Sequence, residues 1–397
     1  MADLSTLRVA FVHYWLIAHR GGERVLEALG EIFPQADIFT LVYSPERTSP
    51  AIRQHRIQTS FIQKIPFAAS HHRAFLPLYP LALENFDLRG YDLVISSESG
   101  PAKGVITGSE TCHICYCHTP MRYLWNQYHD YRQGAGVLTG LVMPLFAHRL
   151  RQWDLATASR VDYFVANSRN TARRIRKYFA RDAEVIYPPV DIERFAPGGG
   201  EVTRGGEDSA ATALPPYYLV VSELIPYKRI DLAVEAFNRL GRKLIVVGDG
   251  PELRRCQKLA GPNVEFMGRV EDGHLARLYA GCRAFVFPGE EDFGIAPVEA
   301  QASGRPVIAY RKGGALETVI AYDGEGGPEA RQCTGLFFGL QTAEALAEAV
   351  KRFELIENRF DPTFIRRHAE RFAAQRFTSE MTAFVAEKLA AFSDRCR

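Results

Sequence analysis

The stretch that decides the fold is AFVFPGEEDFGIAPVEAQASGRPVIA, residues 284–309. It begins with an apolar run at 284–287, continues through a polar loop, and returns to an apolar run at 307–309. Between the two runs, Pro297 is typical of the first residue of a helix, and Gly304 is typical of the end of one. A strand, a loop, a helix and a second strand in this order predict a parallel βαβ unit.

The same alternation of apolar runs and helical patterns extends in both directions from this unit. In the N-terminal half the predicted strands are residues 8–13, 37–42, 93–96, 113–117, 163–166 and 185–187. In the C-terminal half they are residues 218–221, 244–247, 264–267, 284–287, 307–309 and 336–338. Because strands that alternate with helices form parallel sheets covered on both faces, the sequence predicts an α/β protein with two doubly wound, Rossmann-like domains.

Composition also predicts where the domains meet. Residues 196–213, APGGGEVTRGGEDSAATA, are rich in glycine and small polar residues and show no apolar period, as expected of a linker. We therefore expect an N-terminal domain over 1–195 and a C-terminal domain over 196–370. The helical pattern over 371–397 follows the last predicted strand, and we expect this helix to return to the N-terminal domain.

The overall composition narrows the class of protein. The chain has 397 residues, of which 47% are hydrophobic and 24% charged, a mixture typical of globular proteins. Its net charge of +2 gives no basic field for nucleic acid. The N-terminus lacks the pattern of a signal peptide, and the apolar stretch 137–147 is too short to span a bilayer. With seven cysteines expected as reduced thiols, these features predict a cytoplasmic protein, at most peripheral on a membrane.

Glu291 and Glu299 are candidate ligand-binding residues within the decisive stretch. Ligands of open parallel sheets bind at the carboxyl ends of the strands, and Glu291 lies in a loop that follows a predicted strand. Glu299 is expected in the first turn of the next helix. A carboxylate at either position can accept hydrogen bonds from the hydroxyls of a ribose or a pyranose. The alternative is that Glu299 only caps the helix and that 290–292 is a solvated acidic loop.

The E-x7-E spacing of these glutamates, within EDFGIAPVEAQASGRPVIAYRKGGALETV (291–319), resembles the retaining glycosyltransferases of family 4, which have the GT-B fold. The resemblance covers nearly the whole chain, is weakest at 45–90 and 196–213, and points to bacterial mannosyltransferases that build lipid-linked polysaccharides. It implies two domains facing across a cleft. It also implies that Glu299 holds the ribose hydroxyls and that Glu291 orients the donor sugar.

Two loops are candidates for holding the diphosphate of the donor. Lys228 and Arg229 lie where the first strand of the C-terminal half leads into a helix, and a cation beside helix-start amides suits a phosphate. The family has a lysine at the position of Lys228, but it usually has an arginine where this chain has Glu223, so Arg229 or another base is expected to supply the missing charge. Gly21-Gly22 follows the first strand of the chain, where paired glycines let backbone amides approach a phosphate; an ordinary tight turn is the alternative.

The segment HTPMRYLW, residues 118–125, resembles the histidine loop of the family. His118 ends a predicted strand, and the resemblance implies that its neutral ring contacts the donor sugar near the reacting carbon. Arg122, Tyr123 and Trp125 are expected to shape a wall for the acceptor. The remaining candidates for donor binding are Gly268, Arg269 and Val270, in the loop expected to contact the nucleobase, and Phe293, Gly294 and Ile295, beside Glu291.

The cysteines and histidines of residues 112–118 suggest a zinc site, but the geometry of a strand opposes it. Cys112 and His118 point to one side of the strand, whereas Cys115 and Cys117 point to the other, so four ligands cannot converge. We therefore expect no metal site, and a transferase that stabilises the leaving diphosphate with amides and cations instead.

Two basic stretches predict contact with a membrane. Arg173, Arg174 and Lys177 lie in a basic helical pattern at 169–181, and a second basic and apolar stretch covers 61–80. Such segments are expected to dock on the anionic cytoplasmic face of the inner membrane, beside a lipid-linked saccharide acceptor. A solvated helix face and a variable loop are the alternative.

Together the residues and the resemblance predict a retaining, metal-independent transferase that moves a hexose to a polyprenyl-diphosphate-linked saccharide. GDP-mannose is the expected donor, on the resemblance alone, and no cofactor is expected. The alternatives are a nucleotide-sugar epimerase or hydrolase on the same fold, and an inactive nucleotide-sugar-binding scaffold, which Glu223 suggests. A dinucleotide oxidoreductase is disfavoured because both first strand-to-helix turns lack the glycine fingerprint.

Overall fold

The computed structural model describes residues 4–133, 136–195, 215–322, 324 and 332–396. The chain divides into two compact units, one formed by Met1–Pro189 with Gln375–Arg397 and the other by Val190–Ala374. The first boundary lies a few residues before the expected one. The linker expected at 196–213 lies outside the described residues.

The N-terminal unit contains a seven-stranded sheet whose paired strands are all parallel. Its strands are β1 (Val9–His13), β2 (Asp37–Thr40), β3 (Ile57–Thr59), β4 (Leu93–Glu98), β5 (Cys112–Cys117), β6 (Tyr163–Ala166) and β7 (Ala183–Val185). Their order across the sheet is β3-β2-β1-β4-β5-β6-β7. The winding direction therefore reverses between β1 and β4, and the carboxyl ends of these two strands are the expected position of a ligand site.

Helices cover both faces of this sheet. They are α1 (Gly21–Ile32), α2 (Pro50–Arg53), α3 (Tyr79–Glu84), α4 (Tyr128–Gln133), α5 (Val137–Ala158) and α6 (Arg169–Phe179). Along β5 the side chains alternate between two cores, since Cys112 packs in one cluster and Cys115 and Cys117 pack in another. This is the alternation predicted for the strand.

The C-terminal unit contains a six-stranded sheet, also parallel in every pair. Its strands are β8 (Tyr217–Val221), β9 (Lys243–Val247), β10 (Val264–Gly268), β11 (Phe285–Phe287), β12 (Val307–Tyr310) and β13 (Gly335–Phe338). Their order is β10-β9-β8-β11-β12-β13, so the winding reverses between β8 and β11. The prediction of two doubly wound parallel sheets is confirmed.

The helices of the C-terminal unit alternate with its strands. They are α7 (Ile230–Leu240), α8 (Leu253–Leu259), α9 (Asp272–Gly281), α10 (Ile295–Ala302), α11 (Ala315–Thr318), α12 (Ala343–Ile356) and α13 (Pro362–Ala369). Helix α10 begins two residues before the predicted first residue, so Pro297 is its third residue and not its first. Gly294, with φ of +87°, turns the chain into the helix at that earlier point.

The last helix, α14 (Ala374–Cys396), packs on the N-terminal unit. Its residues Phe377, Met381 and Val385 are buried in the same cluster as Phe11 and Tyr116 of the sheet. Burying each such side chain stabilises the fold by about 1.5–3 kcal/mol. Within the described ranges, none of the helices combines the length and the apolar character that crossing a bilayer requires.

Candidate functional site

In the C-terminal unit, the predicted donor-binding loops follow strands that meet at one edge of the sheet. Lys228 lies in the loop after β8, and Glu291 lies in the loop after β11. These two strands are neighbours, with Phe285 paired to Leu219, and the winding of the sheet reverses between them. The two candidates therefore flank the position where open parallel sheets bind ligands.

Lys228 and Glu291 form an ion pair through Nζ and Oε1. Both side chains are largely buried, at 14% and 19% exposed, so the pair is less screened than a surface pair. The approach of the two loops depends on Gly289, where a side-chain carbon would lie 2.9 Å from Lys228 Cα. The structure thus places a cation suited to a phosphate against a carboxylate suited to a sugar hydroxyl.

The neighbours of Lys228 differ from the prediction. A short 3-10 turn, Pro226–Lys228, precedes a left-handed residue, Arg229, and α7 begins only at Ile230. The side chain of Arg229 turns to Asp231, with 3.2 Å between Nε and Oδ1. Arg229 therefore already has an acidic partner, which weakens its expected role as the replacement for the family arginine.

Glu299 is buried on the second turn of α10, and not on the first turn as predicted, because the helix begins at Ile295. At this position Glu299 cannot cap the start of the helix, so that part of the alternative interpretation is wrong. Tyr279 of α9 donates a hydrogen bond of 2.9 Å to Glu299 Oε2. The hydroxyl fixes one carboxylate oxygen, and the sequence contained no signal that linked Tyr279 to Glu299.

The backbone of Glu291 is held by a glycine pair that the sequence analysis did not assign to the site. Gly314 donates its N–H to Glu291 O at 2.8 Å. A side-chain carbon on Gly313, whose φ is +67°, would lie 2.2 Å from the same oxygen. The turn after β12 therefore requires glycine in order to position the loop that carries Glu291.

The other candidates for donor binding lie on the same sheet edge. Gly268 ends β10 with φ of +64°, Arg269 after it is exposed, and Val270 is half-buried. Phe293 is buried and packs edge to face on Phe372, with ring centroids 5.5 Å apart, so its ring belongs to the core of the unit. Ile295 is half-buried at the start of α10.

In the N-terminal unit, a second group of candidates lies at the carboxyl ends of β1, β4 and β5. Helix α1 begins at Gly21, so both predicted glycines belong to its first turn, where backbone N–H groups have no partner within the helix. A side-chain carbon on Gly22 would lie 3.1 Å from Tyr14 Oη and 3.8 Å from His118 Nε2. The structure therefore brings together the glycine pair and His118, which are far apart in the sequence.

His118 is held in a neutral state. Its Nε2 lies 2.9 Å from Ser97 Oγ, and its backbone N–H donates to Glu98 O at 2.7 Å. Burial of the ring and the nearby His13 lower the pKa of His118 to about 3. A neutral ring can donate a hydrogen bond to a ligand or accept one from it without carrying a charge at physiological pH.

His13 is a site residue that the sequence analysis missed. It ends β1 and is fully buried, and among the described residues neither of its ring nitrogens has a hydrogen-bond partner. Its Nε2 lies 3.8 Å from Oε1 of the buried Glu23, which accepts the N–H of Arg20 through its other oxygen. The signal available in the sequence was a histidine at the end of the first strand, shortly before the glycine pair.

A buried charged network lies behind the histidine loop. Lys103 is fully buried, its Nζ contacts Asp154 Oδ1, and it lies 3.7 Å from Glu98 Oε1. Trp125 donates its indole N–H to Asp154 Oδ2 at 2.7 Å. Burial raises the pKa of Glu98 to about 8, against the pull of Lys103. Burial alone would lower the pKa of Lys103, but Asp154 and Glu98 more than reverse this effect and raise it.

The residues expected to face the acceptor or the membrane differ from one another in their surroundings. Trp125 stacks on Tyr178 with ring centroids 4.8 Å apart, so it anchors the histidine loop to α6. Arg174 donates to Thr119 Oγ1 at 3.1 Å and supports the same loop. Arg122 and Tyr123 are half-buried, while Arg173 and Lys177 are exposed on α6.

Two family models match this chain, one in each half. The model described as Glycosyltransferase Family 4 matches residues 19–194, and the model described as Glycosyl transferases group 1 matches residues 207–371. The chain has the fold of these glycosyltransferases. A structural comparison agrees: the crystal structure of Anabaena HepE in complex with UDP aligns with a TM-score of 0.68 over 96% of this chain and 100% of that chain, at 16% identity.

Curated relatives of this glycosyltransferase fold include enzymes named for mannose transfer. The GDP-mannose-dependent monoacylated alpha-(1-6)-phosphatidylinositol monomannoside mannosyltransferase of Corynebacterium glutamicum is 31% identical over 183 residues, 41% of this chain and 48% of that protein. The D-inositol 3-phosphate glycosyltransferase of Geodermatophilus obscurus is 30% identical over 262 residues, 59% of this chain and 55% of that protein. The matched part of this chain thus spans about half the length of these relatives.

Proposed function

We propose that this protein is a retaining, metal-independent glycosyltransferase that moves a hexose from a nucleoside-diphosphate sugar. The observation that carries the proposal is the ion pair between Lys228 and Glu291 where the winding of the C-terminal sheet reverses. The diphosphate of a bound donor replaces Glu291 as the partner of Lys228. The carboxylate of Glu291 then turns to the hydroxyls of the sugar.

The same residues account for the departure of the diphosphate. As the bond between the anomeric carbon and the diphosphate breaks, negative charge grows on the leaving oxygen. A fixed ammonium and backbone amides stabilise that charge without reorganisation. In the proposal Lys228 has this role in the C-terminal unit, and the amides of Gly21 and Gly22 are the phosphate-binding candidates of the N-terminal unit. Glu299, oriented by Tyr279, accepts the hydroxyls of the ribose.

His118 positions the sugar in this proposal. Because its ring is neutral, it exchanges a hydrogen bond with a sugar hydroxyl and carries no charge to the anomeric carbon. The acceptor hydroxyl forms its new bond on the face that the diphosphate leaves, and its proton passes to the departing phosphate. The configuration of the anomeric carbon is therefore retained.

The donor is proposed from the names of the relatives, and the acceptor is proposed from the exposed cations of α6. The Corynebacterium relative is named for GDP-mannose and for a lipid acceptor, which favours GDP-mannose here, whereas the HepE structure holds UDP. Exposed cations on α6, including Arg173 and Lys177, favour an acceptor borne on the anionic cytoplasmic face of a membrane. We propose a polyprenyl-diphosphate-linked saccharide as that acceptor.

Isothermal titration of the intact chain with GDP, UDP and ADP, first in EDTA and then with magnesium, tests the donor. We expect GDP to bind without metal and Lys228→Met to weaken that binding by about 10- to 100-fold, since a charged hydrogen bond is lost. A preference for UDP or ADP would contradict the proposal that GDP-mannose is the donor. Absence of binding by all three would favour the inactive scaffold. In a separate incubation with GDP-mannose and no acceptor, release of free mannose would favour a hydrolase.

Replacing Trp125 by phenylalanine is expected to lower the turnover number by about 10- to 100-fold, because a small displacement of the histidine loop misplaces His118. The substitution keeps the aromatic contact with Tyr178 but removes the hydrogen bond to Asp154. The matched control is Trp153→Phe, which removes an indole N–H bonded at 3.0 Å to Glu84 Oε1. Equal turnover numbers for the two variants would contradict the anchoring role.

A further inference from the structure

An apolar face is exposed on helix α5 of the N-terminal unit. Leu141, Val142, Leu145 and Phe146, which we call the α5 apolar face, are 76%, 39%, 62% and 42% exposed. Single exposed apolar residues are ordinary, but a contiguous exposed group marks an interaction surface. The sequence analysis assigned this segment only as an apolar stretch too short to span a bilayer.

Helix geometry explains why these residues form one face. Positions separated by three or four residues lie on the same side of a helix, and the four residues fall within two consecutive turns on one side. The opposite side of α5 is occupied by Ala147, Leu150 and Asp154, which are buried in the unit. The α5 apolar face is therefore directed away from the core that α5 helps to form.

The charged residues placed around the α5 apolar face are basic. Residues 137–153 contain no aspartate or glutamate. His148 and Arg149 are exposed on the next turn of α5, and the exposed Arg132 of α4 lies at the other end, with its Nε 3.4 Å from Gly140 O. Apolar side chains bordered by basic residues match the boundary between the acyl chains and the anionic headgroups of a bilayer.

Helix α6, which the sequence predicted as a docking segment, lacks an available apolar side. Its residues Ile175 and Phe179 are buried in the unit, so α6 can offer a membrane only its exposed cations. Charge alone gives a weak attachment that salt screens. A second feature is needed to insert into the acyl region.

We propose that the α5 apolar face inserts into the interface of an anionic bilayer, with Arg132, His148 and Arg149 on the surrounding headgroups. This inference deepens the proposed function, because it gives the enzyme a fixed place beside a lipid-borne acceptor. It depends on that function only for the identity of the acceptor.

Co-sedimentation of the full chain with vesicles tests the proposal. We expect binding to vesicles of phosphatidylglycerol and phosphatidylethanolamine, and little binding to pure phosphatidylcholine. The double variant Leu141→Ser/Leu145→Ser is expected to bind anionic vesicles at least about tenfold more weakly. The control is Leu340→Ser/Leu355→Ser, which removes two leucines that are 71% and 84% exposed in the other unit.

A fluorescence measurement reports insertion directly. We expect brominated lipids to quench the added tryptophan of Leu145→Trp and not that of Leu340→Trp. The proposal is overturned if the Leu141/Leu145 double variant binds vesicles as the wild type does, or if neutral vesicles bind equally well. It is also overturned if the wild type is a dimer by light scattering without lipid and the double variant is a monomer, because a second copy then covers the face.

Nucleotide titration separates this proposal from the proposed function. The Leu141/Leu145 double variant should bind GDP as tightly as the wild type. A wild type that binds vesicles but no nucleotide contradicts the glycosyltransferase proposal and leaves the membrane proposal standing. The reverse result contradicts only the membrane proposal.

Discussion

Replacing Glu291 by glutamine is expected to lower the turnover number by about 100- to 1,000-fold, in line with the loss of one group that stabilises a transition state. The variant should still bind GDP. Glu291 pairs with Lys228 in the absence of donor, and in the proposal the diphosphate takes its place. Removing the charge of Glu291 therefore removes a competitor for Lys228, so the Kd for GDP should stay the same or fall.

The measurement pairs steady-state kinetics with titration of GDP, and the neighbouring residue provides the control. Glu290 is also a loop glutamate with a lysine partner, Lys312, at 3.1 Å, but both side chains are much more exposed. We expect Glu290→Gln to leave the turnover number and the Kd unchanged. If Glu291→Gln lost GDP binding as strongly as turnover, Glu291 would be a nucleotide ligand and the assigned role would be wrong.

The fold could be predicted from the sequence because apolar runs mark buried strands. Strands buried on both faces, such as β8 and β11, produce continuous apolar runs that need no knowledge of tertiary contacts. The edge strand β3 was missed because Ile57 and Gln58 are only half-buried and Thr59 is exposed. The prediction based on Pro297 placed the start of α10 two residues too late, because Gly294 turns the chain into the helix before that proline.

Most components of the candidate site could be predicted because they follow a strand, and Glu299 could be predicted from its spacing to Glu291. Lys228, Glu291, Gly22 and His118 all lie just after predicted strands, where the fold itself creates a ligand edge. Their partners could not be predicted, because Tyr279 reaches Glu299 from a different helix. Such a contact depends on how helices pack, which a period of apolar residues does not encode.

Lys103 shows most clearly that contacts made by packing could not be predicted from the sequence. Lysine and aspartate are almost never fully buried unless they are paired, so neither Lys103 nor Asp154 stood out from the sequence. In the structure both are fully buried, and they contact each other from positions 51 residues apart. The network contains one cation and two carboxyl groups. Asp154 contacts both Lys103 Nζ and the indole N–H of Trp125, whereas burial raises the pKa of Glu98 to about 8.

Replacing Lys103 by methionine is expected to destabilise the N-terminal unit by about 3–5 kcal/mol, because the removal of one partner leaves a buried charge uncompensated. The three tryptophans of the chain, Trp15, Trp125 and Trp153, all lie in this unit, so their fluorescence during denaturation in urea reports its unfolding. Arg89→Met is the control, since Arg89 pairs with Asp87 at the surface, and its midpoint should not change.

The loss in the Lys103→Met variant should grow with pH. Burial raises the pKa of Glu98 above its value in the unfolded chain, so the stability that it contributes is complete below the unfolded pKa and is lost as the pH rises towards about 8. Lys103 lowers the pKa of Glu98, so removing Lys103 raises that pKa further and extends the loss to higher pH in the variant alone. Because the wild type and the variant share the loss up to about pH 8, the difference in stability between them should be smallest below that pH and should grow above it. Adding Asp154→Asn should restore part of the stability, because it removes the carboxyl group left without Lys103 and keeps an acceptor for Trp125. A double variant no more stable than Lys103→Met would contradict this cause.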